Sequence, residues 1–308
     1  MQETLTAVPL ATLTKSARSA AFVKLRKPSS SGASAGVLLL TPTTPMGSQF
    51  LEAEVIAMAG YGALTDVYEW LIPDHKLTPG GAVGAVGDLV KSLPPGARVL
   101  DCACGTGQLA VGLAALGLDV VASDASPGMV RRTQELADQE GVSLNTFEAT
   151  WDELPDHLDA STFDVVFCVG NSLGHAEGAS GRLSALASMA RLLNPDGRLV
   201  LTSRTWERIR DGGSRIEVWD RLTRRNGRDA VVMYQWQIAA TWEQEHHLQI
   251  VVAQIEPDGT VISGSERLSI WPFRYDELTT QLQAVGLTTD DVTFDPDGGG
   301  YKVVAVRE

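Results

Sequence analysis

The chain has 308 residues, 20% of them charged, a formal net charge of −13 and a mean hydropathy of +0.00. These values fit a soluble globular protein with one large or two small domains, and no apolar run nears the roughly 20 residues that cross a bilayer, so no membrane partner is expected. The acid excess repels phosphate backbones, which argues against nucleic acid as a partner, and three cysteines are too few for a disulfide framework, which suits buried thiols in a reducing, cytoplasmic compartment.

Residues 1–45 are rich in Ser, Thr, Ala and Pro and hold Lys15, Arg18, Lys24, Arg26 and Lys27 against Glu3 alone. Three readings stand: a disordered tail, a true start at Met46, or a transit peptide. From Phe50 to Val90 the pattern turns helical, with Tyr61, Leu64, Tyr68 and Leu71 on one stripe. Strands are predicted near 98–102, 119–123, 144–149, 164–169 and 197–203, alternating with helices near 108–116, 126–139 and 180–193. That alternation implies a parallel sheet covered by helices on both faces. Asn194-Pro195-Asp196-Gly197 marks a turn before the fifth strand. Residues 216–271 then become β-rich, with turn signals at Asn226-Gly227 and Pro257-Asp258-Gly259. They read as an antiparallel meander, after which a helix at 275–285 and strands near 289–294 and 301–307 close the first sheet. The arginines at 221, 224, 225 and 228 read as a solvated hairpin tip.

The chemistry starts at residues 99–107, Val-Leu-Asp-Cys-Ala-Cys-Gly-Thr-Gly, a buried strand that breaks into a glycine turn before a helix. Gly105 and Gly107 let the main chain approach a ligand without a Cβ in the way. Seventeen residues past Gly107 a second strand ends on Asp124, where a carboxylate can accept bonds from two ribose hydroxyls. Asp101 lies ahead of the glycines, and Ala103 stands where a dinucleotide fold needs its first glycine. An acid there does not suit a pyrophosphate. No metal is expected: His246 and His247 are adjacent and would face opposite sides of a strand, and Cys102-x-Cys104 lacks a second ligand pair.

The pattern Asp101-x-Ala103-x-Gly105-x-Gly107, followed by Asp124 and Trp151, resembles motif I and its sequel in class I S-adenosylmethionine methyltransferases. Phe163-Asp-Val-Val-Phe-Cys-Val-Gly-Asn-Ser-Leu-Gly-His175 and Leu199-Val-Leu-Thr-Ser-Arg204-Thr-Trp206 are similar to the fourth and fifth strands of the glycine and sarcosine N-methyltransferases. The resemblance implies an α/β fold: a Rossmann-like, seven-stranded class I methyltransferase sheet with the meander inserted after strand five. It divides the chain into a tail (1–45), an N-terminal helical lid (46–97), a cofactor core (98–210), an antiparallel substrate cap (211–271) and a closing helix and strands (272–308).

The implied cofactor is S-adenosylmethionine, without a metal. Ala103 would meet it through its backbone, Asp124 would hold the ribose, Ala125 and Met129 would also be cofactor-binding, Thr150 and Trp151 would frame the adenine, and Val169 would form the floor. Tyr61 and Trp70 fall near lid aromatics of the family. Asn171 and Arg204 would hold a substrate carboxylate, and the Gly170 carbonyl would orient an amine. His175 reads either as a base or as a loop hydrogen-bonder, Asn171 also as a plain turn residue, and Arg204 also as the partner of a surface acid. The sequence departs from the family at Thr150, where Asn or Asp is usual, and at Trp206 and Trp271, which replace pocket tyrosines. The family's lid arginine has no counterpart, Lys76 being the nearest candidate. The implied activity is methyl transfer to the amine of a small, glycine- or sarcosine-like amino acid. An O- or N-methyltransferase of a secondary metabolite and a catalytically inactive S-adenosylmethionine-binding regulator are the alternatives. A small-molecule substrate is the expected partner, and a homo-oligomer is compatible with the sequence.

Overall fold

The computed structural model describes residues 23–25, as backbone, and 64–307. In chain order, strand β1 (Val23–Leu25) precedes two 3₁₀ turns, Thr65–Leu71 and Asp74–Lys76, and two short helices, α1 (Pro79–Gly84) and α2 (Gly87–Lys91). The helical pattern expected here thus takes the form, over the described residues, of short pieces rather than one continuous helix. Pro73 and Pro79 withhold N–H donors and disfavour helical backbone just before them. The glycines at 80, 81, 84 and 87 raise the entropic cost of a continuous helix. Of the residues expected as a tail, those outside β1 lie beyond the described ones, as does Tyr61.

The α/β alternation then follows: β2 (Arg98–Asp101), α3 (Gln108–Ala115), β3 (Asp119–Asp124), α4 (Pro127–Glu140), β4 (Asn145–Glu148), α5 (Leu154–His157), β5 (Phe163–Cys168), α6 (Gly178–Leu192) and β6 (Leu193–Arg204). Short α7 (Trp206–Asp211) leads into β7 (Arg215–Val218), β8 (Thr223–Arg225), β9 (Arg228–Gln237), β10 (His246–Ile255) and β11 (Val261–Ile270). Helix α8 (Tyr275–Ala284), β12 (Leu287–Val292) and β13 (Gly300–Arg307) end the described chain.

The first sheet has seven strands in the order β12-β13-β6-β5-β2-β3-β4. Strands β2 to β6 run parallel, and β13 and β12 add antiparallel at one edge. The order reverses between β2 and β5, so the loops after these strands open a crevice at their carboxyl ends. Strand alternation sends Val99, Val120, Val165, Phe167 and Val200 into the core under α3. Leu100, Val121, Val166, Leu199 and Leu201 go to the opposite core. The predicted turn at Asn194–Gly197 lies inside β6: Leu193 pairs with Phe163 and the next pair is Arg198 with Val165, so the four residues between bulge out.

The meander forms a second, antiparallel sheet, β1-β11-β10-β9-β7, with β8 also on β9. Asn226 (φ 52°) and Gly227 (φ 77°) make the tight turn between β8 and β9. The inner face of this sheet, with Val232, Tyr234, Trp236, Ile250 and Leu268, joins the same core as Leu100 and Val166. The second sheet therefore roofs the crevice of the first.

Candidate active site

The glycine turn after β2 is built by local geometry. Gly105 and Gly107 have φ of 56° and 89°, conformations that side chains disfavour. A Cβ on Gly107 would lie 2.9 Å from the Thr133 backbone on α4. Asp124 closes the turn from β3: its Oδ2 accepts the Gly105 N–H at 2.9 Å and its Oδ1 the Ser126 N–H at 2.9 Å. Burial raises the Asp124 pKa and these two N–H donors oppose the rise. Helix α4 starts just beyond, its N-cap Ser126 oxygen accepting from Met129 N. Met129 is buried and Ala125 exposed.

Asp101 is 1% exposed, and its Oδ1 accepts no hydrogen bond among the described residues. Burial first, then the charge of Asp124, pushes its pKa up to about 7, against the Ala103 N–H. A buried carboxylate oxygen without a donor, beside a glycine cradle and a carboxylate at the end of β3, fits a ligand with an ammonium at one end and a ribose at the other. S-adenosylmethionine has both groups.

Trp151 Nε1 donates to the Cys102 carbonyl at 2.9 Å, which carries the indole from the end of β4 to the end of β2. Thr150 caps the following turn, and Glu153 accepts from its N–H and its hydroxyl, each at 2.8 Å. Cys102, Cys104 and Cys168 are buried thiols, and burial pushes the first two well above the ordinary thiol value. Among the described residues no group of three or more His, Cys, Asp or Glu could hold a metal ion.

The loop after β5 lies across the crevice. Gly170 (φ 84°) donates its N–H to Thr202 Oγ1 at 2.8 Å, and Ser172 Oγ donates to the Val169 carbonyl. Asn171 holds φ 70° and ψ 21° and begins a 3₁₀ turn, Ser172–His175. The left-handed backbone suits Asn more than most residues, and the side chain remains half-buried. The His175 ring meets the Ser269 carbonyl on β11 through Nδ1 at 3.3 Å, and burial lowers its pKa. Since a carbonyl only accepts, Nδ1 carries the proton, a contact that fits the loop-anchoring reading.

Arg204 ends β6. Its guanidinium carbon lies 5.6 Å from the Trp236 ring and 6.0 Å from the Tyr234 ring, both on β9. No carboxylate comes within ion-pair distance of it among the described residues. Trp236 is pinned by its Nε1–H to Glu217 Oε2 at 3.1 Å. Trp206 is buried at 1% exposure, against Gly174, while Trp271 is half-buried and donates its backbone N–H to the Gly174 carbonyl at 2.7 Å. Trp70 is 3% exposed and belongs to the core with Leu64 and Val67, and Lys76 is exposed.

Tyr68, which the apolar pattern places only on a helical stripe, lies at the candidate site. Burial, followed by the charge of Asp124, pushes its phenol up to about 12, and Tyr234 and Arg204 also act on it. The Tyr68 ring sits 3.7 Å from where a Gly105 Cβ would be. Its segment is gripped from the second sheet. Arg225, expected at a solvated tip, is 7% exposed; it donates to the Glu69 carbonyl at 3.2 Å and the Ile72 carbonyl at 2.8 Å and pairs with Asp74 at 2.8 Å.

Fold and crevice together define the class I S-adenosylmethionine-dependent methyltransferase architecture, and residues 99–197 match the family model described as a methyltransferase domain. The chain is similar to the glycine/sarcosine N-methyltransferase of Parasynechococcus marenigrum, 38% identical over 122 residues, 39% of this chain and 43% of that protein. A second such enzyme, from Halorhodospira halochloris, is 35% identical over 116 residues, 38% of this chain and 43% of the relative. The chain thus spans less than half the length of these two curated relatives. Among solved structures, Streptomyces venezuelae DesVI superposes with a TM-score of 0.66 at 19% identity, covering 82% of this chain and 100% of that one. A methyltransferase from Clostridium acetobutylicum gives 0.65 at 14% identity, with 80% and 98% coverage. At these identities the structural likeness establishes the fold alone. Among the described residues no helix is long and apolar enough to cross a membrane.

Proposed function

We propose that the protein is an S-adenosylmethionine-dependent N-methyltransferase of a small amino acid, with Arg204 gripping the substrate carboxylate. The observation that carries this reading is Tyr68. Its ring lies 3.7 Å from where a Gly105 Cβ would be, beside the glycine turn, and its phenol feels the charges of both Asp124 and Arg204, which supports a cofactor cradle and a cationic anchor within reach of one another. The glycine/sarcosine N-methyltransferases matched by sequence support the choice of substrate class.

S-adenosylmethionine supplies a methyl group on a sulfonium, with a neutral thioether as leaving group. The protein's task is then alignment and exclusion of water. Asp124 would accept the ribose hydroxyls and Asp101 Oδ1 the ammonium, while Trp151 would flank the adenine and Val169 the floor. Arg204 would hold the acceptor's carboxylate through two parallel bonds, Asn171 would add a third contact, and the Gly170 carbonyl would accept from the amine. An ammonium has no lone pair, so the acceptor must shed a proton. Burial near a sulfonium disfavours a second positive charge and lowers the amine pKa, which leaves no need for a strong base at His175. Tyr68 and the second sheet would keep the crevice dry.

A double cycle tests this: glycine or sarcosine against the corresponding carboxylate-free amine, with the wild-type enzyme and Arg204→Lys. Loss of the carboxylate and loss of the guanidinium fork should each cut kcat/KM strongly, and both together little more than either alone. Equal turnover of the amine and the acid by the wild type would reject the amino-acid reading. The aromatic walls Trp219, Tyr234 and Trp236, in edge contact at 5.9 and 6.3 Å, favour a second reading for that case, methylation of a ring-bearing secondary metabolite.

A further inference from the structure

The second sheet has an outer face that the proposed chemistry does not use. Its register places Val218 beside Met233, Met233 beside Val251, and Val251 beside Ser265 in one cross-strand row. The next row runs Val231, Ala253, Ser263. Ile216 and Val218, on the edge strand β7, are 62% and 56% exposed, and Ile255 at one corner is 37% exposed. Met233, Val231, Val251 and Ala253 are half-buried. One-sided antiparallel sheets normally turn a polar face to water, and contiguous apolar surface of this kind marks an interaction site.

We propose that a second copy of this chain packs on this face, sheet against sheet. Charge favours the copy over an ionic partner. The two apolar rows hold no charged side chain, and at their corner Asp229 is already held by two bonds from Arg224, at 2.8 and 3.1 Å. The polar end of the face, with Gln235, Gln249 and Arg267, can form a hydrogen-bonding rim around an apolar centre. Two chains of net charge −13 repel each other, and that repulsion opposes contact least where a face carries no charge, as along these two rows. Area is adequate. Strands β9, β10 and β11 have ten residues each; at about 4.8 Å spacing and 3.3 Å rise, with β7 added, the face covers on the order of 500 Å². Two such faces bury about 1,000 Å², the lower bound for a specific interface. A two-fold axis through the Met233–Val251 row makes the contact self-complementary.

Sedimentation velocity of the full-length protein is the test, with Met233→Glu and, separately, Ser265→Glu as variants and circular dichroism and S-adenosylmethionine affinity as folding controls. The wild type should sediment as an assembly at micromolar concentration. Each variant should halve its mass or weaken the association at least 100-fold, with cofactor affinity unchanged. A wild-type monomer at 100 µM overturns the proposal, including the case where another segment of the same chain covers the face. An assembly that survives both variants also overturns it. Neither result bears on the methyltransferase reading, which the cofactor affinity reports separately.

Discussion

In the parallel sheet the polar contacts of the site run from side chain to main chain; on the Arg204 side of the antiparallel sheet they run from side chain to side chain. Asp124 binds the N–H groups of Gly105 and Ser126, Trp151 the carbonyl of Cys102, and Thr202 the N–H of Gly170. Opposite them, Arg204 rests on Tyr234 and Trp236, and Trp236 on Glu217. A cradle made of backbone follows from turn geometry and suits one cofactor. A wall made of side chains changes with each residue in it, so under the proposed function it is the part that would choose a substrate. The 64–76 segment joins the two, with Tyr68 over the glycine turn and Arg225 of the second sheet on its carbonyls.

The sharpest way to break this division is Asp124→Ala. Removing an ionised acceptor should weaken S-adenosylmethionine binding by about 1.5–3 kcal/mol, read by calorimetry, with the amino-acid KM nearly unchanged at saturating cofactor. A matching rise in that KM would show that the halves are not separable.

Arg225→Ala should move both halves at once. It strips donors from two carbonyls and a partner from Asp74, a local loss of about 1–3 kcal/mol. Amide hydrogen exchange across 65–76 should speed up, and cofactor Kd and substrate KM should rise together, because Tyr68 on this segment lies beside the glycine turn and feels the charges of both Asp124 and Arg204. Arg225→Lys should restore part of each. Unchanged exchange and unchanged constants would mean that the segment is held by other contacts.

What could be read from sequence follows the same division. Gly105, Gly107 and Asp124 lie within one strand–turn–helix–strand unit, and turn chemistry plus spacing exposed them. Trp151 followed from its place after β4. Arg225 and Glu69 are 156 residues apart, and no local pattern separates that arginine from Arg221, Arg224 and Arg228 beside it. Tyr68 was visible only as a member of an apolar stripe. Periodicity reports which residues are buried but not what they are buried against, so it does not single out Tyr234 and Trp236 as the seat of Arg204. The helical pattern gives the kind of structure here but not its breaks: it weighs apolar spacing, whereas Pro73, Pro79 and the nearby glycines decide whether a helix can continue.

The smallest effect expected is a pH dependence, and Asp101 carries it. Burial and then the charge of Asp124 raise its pKa from 3.8 to about 7. A raised carboxyl pKa means that the folded, ligand-free protein holds the proton more tightly than the unfolded chain. The group's contribution to stability is therefore full below the unfolded value and declines as pH climbs toward 7. An ammonium needs the ionised form, so cofactor binding below pH 7 must first remove that proton. Affinity for S-adenosylmethionine should then rise with pH between 5.5 and 7.5, by a factor of up to about ten per unit on the acid side. Calorimetry in two buffers of different ionisation enthalpy should show proton release at pH 6. S-adenosylhomocysteine keeps the ammonium and lacks the sulfonium, so it should follow the same profile. Asp101→Asn should bind more weakly with a flat profile over this range. A flat profile in the wild type, or a slope that survives in Asp101→Asn, would move the ammonium away from Asp101 and leave its buried Oδ1 to another donor.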